Sequence, residues 1–279
     1  MDAHAVLNLK RIATNIRKGV ITAVASAGSG HPGGSLSIAD IMAYLFFEKM
    51  NIDPKNPKNP DRDRFVMSKG HCSPALYSTL AHRGFFPVED LSGFRQVSSY
   101  LEGHPNMNTV PGVDMSTGSL GQGFSAAVGM AMAGKLDKKD YRVYVMLGDG
   151  ELEEGEVWEA AMCAAHYKLD NLTAFVDYNG LQIDGKITEV MNPEPIGDKF
   201  KAFGWEVISI DAHDFNQIEE AVKHAESFKG KPTVIVARSV KGKGVSYMEN
   251  QAGWHGSAPK KDQAQQALDE LDAFLASLE

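Results

Sequence analysis

The chain has 279 residues, 43% of them hydrophobic and 23% charged, a composition that excludes bulk disorder, collagen and coiled coil. Lys and Arg number 28 against 36 Asp and Glu, a formal net charge of −8 at pH 7, and with no long basic run this argues against a nucleic-acid partner or an anionic membrane surface. At this length roughly three-quarters of the unfolded chain's surface can be buried, so an ordinary hydrophobic core suffices, in one large α/β domain or two small ones.

Residues 5–27 carry Val6, Leu9, Ile12, Ile16, Val20 and Val24 at helical spacing. Gly28-Ser29-Gly30 and Pro32 stop the run, so a helix delivers a glycine-rich loop. The N-terminal segment lacks the uninterrupted apolar core of a signal peptide, and no stretch of about 18 apolar residues occurs anywhere. Cys72 and Cys163 are the only cysteines, in no metal or disulfide spacing, which fits a reducing compartment. The expectation is a soluble cytoplasmic protein with no membrane contact.

A second helix is predicted over 38–49, and the proline-punctuated stretch 51–60 reads as a connection. Residues 64–68 are short and apolar, followed by Gly70-His71 and a helix-like stretch to Arg83. The segment 103–123 holds five glycines and leads into a helix of small residues over 124–136. Beyond it, strand-like runs at 142–147, 172–176, 205–210 and 233–237 alternate with helix-like segments at about 152–166, 195–203 and 215–228, and 262–278 reads as a terminal amphipathic helix. Four β-rich runs separated by helices require crossover connections. They predict an α/β fold, a mostly parallel sheet flanked by helices on both faces, as one domain over 1–279. Such sheets bind ligands beyond the carboxyl ends of their strands.

Two of these strand ends carry chemistry. Gly148-Asp149-Gly150 follows one strand-like run directly, and after a further 26 residues Asp177-Tyr178-Asn179-Gly180 follows the next. Adjacent parallel strands would deliver Asp149 and Asn179 to one place, where oxygen ligands suit a hard cation such as Mg²⁺ or Ca²⁺ with phosphate oxygens completing the shell. Asx-containing turns at strand ends are the plainer alternative. Four histidines, His31, His71, His104 and His255, sit in glycine-flanked loops, a setting for backbone brought close to a charged ligand, with imidazoles donating or shuttling protons. His4, His82, His166, His213 and His224 look ordinary. Zinc is a rival reading that lacks a cluster to fix ligand spacing. Gly28–Gly33 matches G-x-G-x-x-G, but it follows a helix and contains Pro32, so the dinucleotide fingerprint is read as coincidence.

The spacing from GDG to the Asn-containing strand end resembles the thiamine diphosphate-binding motif, in which Asp, Asn and a backbone carbonyl hold Mg²⁺ on the cofactor's diphosphate. DYN stands here where many members have NN, and the second Asn is kept. SGHPGGSLS at 29–37, SKGHCSPALY at 68–77, GHPNMNTVPGVDMSTGSLGQG at 103–123, GDGELEEGEVWEA at 148–160 and VDYNGLQIDG at 176–185 resemble transketolase. The similarity runs in order from residue 10 to about 260. It covers the diphosphate-side domain, which full-length transketolases follow with a pyrimidine-binding and a C-terminal domain.

The resemblance implies that Asp149, Asn179 and the Leu181 carbonyl ligate Mg²⁺, with Ca²⁺ a possible substitute. Gly148, Gly150, His71 and His255 would contact the diphosphate, Gly118 and Leu120 the cofactor rings, and Ile183 the thiazolium. His31, His71, His104 and His255 resemble the histidines that handle substrate hydroxyl protons, and Glu154 and Glu159 match acidic residues of a subunit-interface relay, with Glu154 also set among the cofactor contacts. Acidic capping of a helix is the plain account of these glutamates. The implied activity is transfer of a two-carbon glycolaldehyde unit between sugar phosphates by a split transketolase. A second subunit would carry the pyrimidine-binding and C-terminal domains in an α2β2 heterotetramer, and the glutamate that protonates the aminopyrimidine lies on the pyrimidine-binding domain. The small-residue helix after Gly123 and the acidic turn 151–159 are expected at the contact surface. Ser119 where Pro is common, and GGSLS where many have GAPMG, leave room for an enzyme of another ketose or one making a deoxyketose phosphate. A non-catalytic cofactor-binding module is a further alternative.

Overall fold

The computed structural model describes residues 1–278. Helix α1 (Ala3–Ala27) starts at Asp2, whose side chain accepts from the Ala5 N–H, and ends at Gly28 in the left-handed conformation. The short α2 (Pro32–Leu36) and α3 (Ala39–Tyr44) follow, the latter running into a π-helical turn over 45–49. Strand β1 (Arg64–Met67) leads to a 3₁₀ turn at Gly70–Cys72 and α4 (Ser73–Arg83). A long loop, with a 3₁₀ turn at Val88–Gly93, reaches α5 (Gln122–Leu136). Then come β2 (Val143–Gly148), α6 (Gly155–His166), β3 (Leu172–Tyr178), a small hairpin of β4 (Leu181–Gln182) and β5 (Gly185–Lys186), α7 (Ile187–Val190), α8 (Ile196–Ala202), β6 (Glu206–Asp211), α9 (Phe215–Ser227), β7 (Thr233–Arg238) and α10 (Lys261–Ser277). Among the described residues no helix is long and apolar enough to cross a membrane.

The main sheet has five strands in the order β1-β2-β3-β7-β6, every pair parallel. The fifth strand is β1, a four-residue edge segment too short for its own periodicity to announce it. The hairpin at 181–186 likewise has no counterpart among the expected strands. In the central strands both faces are buried, and alternate residues enter different layers. Tyr144, Met146, Phe175 and Ile235 join a core with α1, α3, α4, α9 and α10. Val145, Leu147, Ala174, Val176 and Val234 join the core formed with α5, α6 and α8. Helices therefore cover both faces. At the start of α5 a Cβ on Gly123 would lie 2.7 Å from the Ser68 Cα, so glycine is what lets the helix meet the end of β1.

Arg17 of α1 reaches buried Asp40 of α3, Nη1 to Oδ1 at 3.2 Å and Nη2 to Oδ2 at 2.5 Å. Burial alone would raise the Asp40 pKa, but the Arg17 guanidinium and a hydrogen bond from His213 hold it at about 2. Because this lies below the unfolded value of 3.8, the pair stabilises the fold above about pH 4 and the stabilisation is lost as pH falls toward 2. Asp40→Asn is therefore expected to cost about 3–5 kcal/mol at neutral pH by leaving Arg17 buried and unpaired. In urea denaturation the gap between variant and wild type should narrow below about pH 4; a gap independent of pH would show that the charge is not its source.

Candidate active site

Strands β2 and β3 are neighbours with Gly148 opposite Asp177, so the turns that follow them face each other at the carboxyl edge of the sheet. Asp149 is 3% exposed and accepts the Gly150 N–H at 2.9 Å and the Gly180 N–H at 2.6 Å. Burial, then the negative charge of Asp177, pushes its pKa up to about 7. The Asn179 side chain accepts from the Leu181 N–H (3.1 Å) and donates to Asp177 (3.0 Å). Asp149, Asn179 and Leu181 thus belong to facing turns and line one cavity. The Asn179 turn is an Asx turn as well, its side chain accepting the N–H two residues on, whereas Asp149 reaches across to the Gly180 N–H.

Beneath them lies a layer of buried charge. Lys69 donates to Asp177 at 2.6 Å and to the Gly34 carbonyl at 2.8 Å, and Ser37, Asn179 and Ser239 also donate to Asp177. Burial alone would raise the Asp177 pKa, yet Lys69 and these donors hold it below the usual carboxylate range. Lys241 donates to the Leu181 carbonyl at 2.9 Å and lies 3.1 Å from His255 Nδ1. Burial lowers its pKa, opposed by Asp149 and Asp177. Glu151 is also buried, accepting from Ser68, the Gly121 N–H and the Gly148 N–H, and so ties three segments of the site together.

The rings of His31, His71 and His255 form a cluster with centroids 5.0, 5.3 and 5.5 Å apart. His31 Nδ1 is buried with no hydrogen-bond partner. Desolvation and the neighbouring positive charges lower the pKa of His31 to about 4 and of His71 and His255 to about 3. Burial and Arg95 lower that of His104 too. Each of His31, His71 and His255 is desolvated among cations and other imidazoles, which holds its pKa below the ordinary histidine value.

One cavity of about 380 Å³ gathers these groups. It is lined by Gly148, Asp149, Gly150, Asn179 and Leu181, by Gly118, Leu120 and Ile183, and by His31, His71, His104 and His255. Of the expected site residues Glu154 is the exception. It is exposed at the N-terminal end of α6, as is Glu159, because the chain turns outward after the buried Glu151 and Leu152. The acidic turn thus divides, Glu151 into the cavity wall and Glu154 onto the surface. Gly34, Lys69, Glu151, Gln182 and Lys241 also line the cavity and were missed by sequence reasoning; a lysine beside Gly70-His71 and another in Lys241-Gly242-Lys243-Gly244 were the available signals. Among the described residues no group of three or more His, Cys, Asp and Glu side chains is arranged to hold a metal ion, so a cation here would depend on amide and carbonyl oxygens.

Residues 8–273 match the family model described as transketolase, thiamine diphosphate binding domain. The chain is 46% identical over 266 residues to a 6-deoxy-6-sulfo-D-fructose transketolase subunit of Clostridium sp. (strain MSTE9), covering 95% of this chain and 97% of that protein. It is 44% identical over 263 residues to an apulose-4-phosphate transketolase subunit of Phocaeicola vulgatus, covering 94% and 93%. Human transketolase is 43% identical over 280 residues, but the match covers 99% of this chain and 44% of the human protein. A transketolase mutant from Pichia stipitis superposes with a TM-score of 0.87 at 36% identity, covering 98% of this chain and 44% of that one. The chain therefore spans less than half the length of these full-length relatives.

Proposed function

The chain belongs to the transketolase family through its thiamine diphosphate-binding domain, and from that membership we propose that it is the cofactor-binding subunit of a two-chain transketolase. It would transfer a two-carbon glycolaldehyde unit from a ketose phosphate to an aldose phosphate, together with a second subunit carrying the pyrimidine-binding and C-terminal domains. The observation that carries this reading is the convergence of Asp149, Asn179, Leu181 and four histidines on one cavity at the carboxyl ends of β2 and β3.

The residues present fit the cofactor and its cation. Asp149 is a buried carboxylate whose hydrogen-bond partners are two backbone N–H groups, and a divalent cation would relieve the desolvation that raises its pKa. Asp149, the Asn179 side-chain oxygen and the Leu181 carbonyl would hold Mg²⁺. Gly150, His71 and His255 would contact the diphosphate, and Lys241 would offset its charge. Gly118 and Leu120 would meet the rings, with Ile183 beside the thiazolium. When bound, thiamine diphosphate supplies a nucleophilic thiazolium carbon and the electron sink that C–C cleavage needs. His31 and His104 would serve the substrate, donating to or accepting from its hydroxyls as neutral imidazoles.

His31→Ala or His104→Ala is expected to lower kcat roughly 10²–10⁴-fold, the range for a lost acid–base group, with little change in cofactor affinity. Steady-state kinetics beside calorimetry separates the two; a fall in affinity with kcat intact would move either residue to the cofactor. A heterotetramer of two copies of each chain would place every site between chains, as closed two-fold symmetry favours. The outer face of α6 supports a contact there, since Met162 is 57% exposed one turn from the exposed Glu159.

The relatives that match this chain nearly end to end are named for 6-deoxy-6-sulfo-D-fructose and apulose 4-phosphate, which favours a second reading, a transketolase specialised for another ketose. The test is the chain with its partner subunit on xylulose 5-phosphate, 6-deoxy-6-sulfo-D-fructose or apulose 4-phosphate, each with an aldose phosphate acceptor, and pyruvate plus glyceraldehyde 3-phosphate as control. The preferred donor identifies the enzyme. Turnover of the control alone indicates a deoxyketose phosphate synthase, and no turnover with any pair favours a non-catalytic cofactor-binding module.

A further inference from the structure

The segment 239–244 leaves the carboxyl end of β7 and carries Lys241, 2% exposed, into the cavity wall. Its backbone is tied to several other parts of the chain, the Lys241 carbonyl itself accepting the Asn250 N–H at 2.9 Å and the Gly244 N–H donating to Glu249 at 3.0 Å. The Ser239 N–H donates to the Tyr178 carbonyl at 3.1 Å, the Gly242 N–H to the Gly33 carbonyl at 2.9 Å, and the Val240 N–H to Nε2 of His213 at 3.0 Å. Gly242 has φ +78°, and a Cβ there would lie 2.4 Å from the Met248 carbonyl oxygen, so the strap follows a path with little slack. Of these ties, the one next to Lys241 on its N-terminal side, at Val240, is made to a side chain.

That side chain is itself oriented. A ring nitrogen that accepts an N–H carries no proton, so the His213 proton is on Nδ1, which donates to Asp40 Oδ2 at 2.7 Å. Arg17 grips the same carboxylate. The order Arg17, Asp40, His213, Val240 is the arrangement by which a carboxylate fixes the tautomer of a metal-ligating histidine, here delivered to a backbone amide. His213 has no glycine beside it and lies outside the cavity lining, so neither its sequence setting nor direct contact marks it.

We propose that His213 is a positioning residue that, through the Val240 amide, sets where the Lys241 ammonium stands in the cavity; this rests on reading that cavity as the cofactor site. His213→Asn keeps a donor for Asp40 but stops short of Val240, whereas His213→Gln places an amide oxygen where Nε2 was. The first readout is the rate at which a small acylating reagent modifies Lys241 in the chain without cofactor, located by mass spectrometry. The second is calorimetric affinity for thiamine diphosphate with Mg²⁺. The Asn variant is expected to be acylated at Lys241 about tenfold faster and to bind about tenfold more weakly, the size typical of lost outer-shell partners, while the Gln variant matches wild type in both. Asn behaving as wild type at Lys241, or Asn and Gln altered alike, would overturn the proposal. If Asn does not fold, Gln decides: a folded Gln variant with Lys241 exposed overturns it, and one with Lys241 protected supports it. A wild-type chain that binds no cofactor overturns the reading of the cavity instead, and the acylation comparison still judges His213.

Discussion

Replacing Asp149 by alanine is expected to abolish Mg²⁺-dependent binding of thiamine diphosphate while leaving the chain folded. Asp149 supplies the one carboxylate among the three proposed oxygen donors, and without a cation a diphosphate would bring unbalanced negative charge against buried Asp177 and Glu151. The structural cost is local. The Gly150 and Gly180 N–H groups lose their acceptor, at about 1–3 kcal/mol for each group left unsatisfied, while the two apolar layers on either side of the sheet are untouched. Calorimetry should show no saturable heat with cofactor and Mg²⁺, and circular dichroism should remain that of the wild type. Asp149→Asn retains an acceptor oxygen and removes only the charge, so it should weaken binding with less local disturbance. Cofactor affinity equal to that of wild type in both variants would remove Asp149 from the site.

The second large effect is that this polypeptide alone should show no ketol transfer with Mg²⁺ and cofactor supplied, and should gain it when the partner subunit is added. The chain matches 44% of the human transketolase length and 44% of the Pichia stipitis structure, the share that resembles the diphosphate side. The resemblance places the glutamate that activates the aminopyrimidine on the domain that follows. On this chain Ile183, expected beside the thiazolium, is 65% exposed, so that residue stands open to water, and enclosure is what strengthens electrostatic catalysis. Turnover should rise with partner concentration and saturate. Robust turnover by the chain alone would mean that a glutamate here, with Glu154 the first to examine, performs the activation.

Much of the architecture was legible because its determinants are local. The stretches 143–147, 174–176 and 234–237 are continuously apolar since both faces of a central parallel strand are covered. Glycines end α1 and α4 in left-handed caps. The Asp149 and Asn179 pairing could be read from two strand ends because neighbouring parallel strands finish at the same edge. His31, His71, His104 and His255 were marked by flanking glycines, which report close backbone approach.

What tertiary structure alone decided is which distant groups share an environment. Periodicity does not say that β1 sits at the sheet edge or that β7 lies inside β6, since strand order is set by crossovers packing against helices. Lys69 and Asp177 are 108 residues apart, and His213 and Asp40 are 173 apart; nothing in the sequence pairs one with the other. Glu151 and Glu154 stand in one acidic turn, yet one is buried and the other exposed, because only the first finds N–H donors from other segments. The protonation of the histidines follows the same logic: an imidazole's pKa is set by desolvation and by the charges around it, and those arise when loops near residues 31, 71 and 255 close over one cavity.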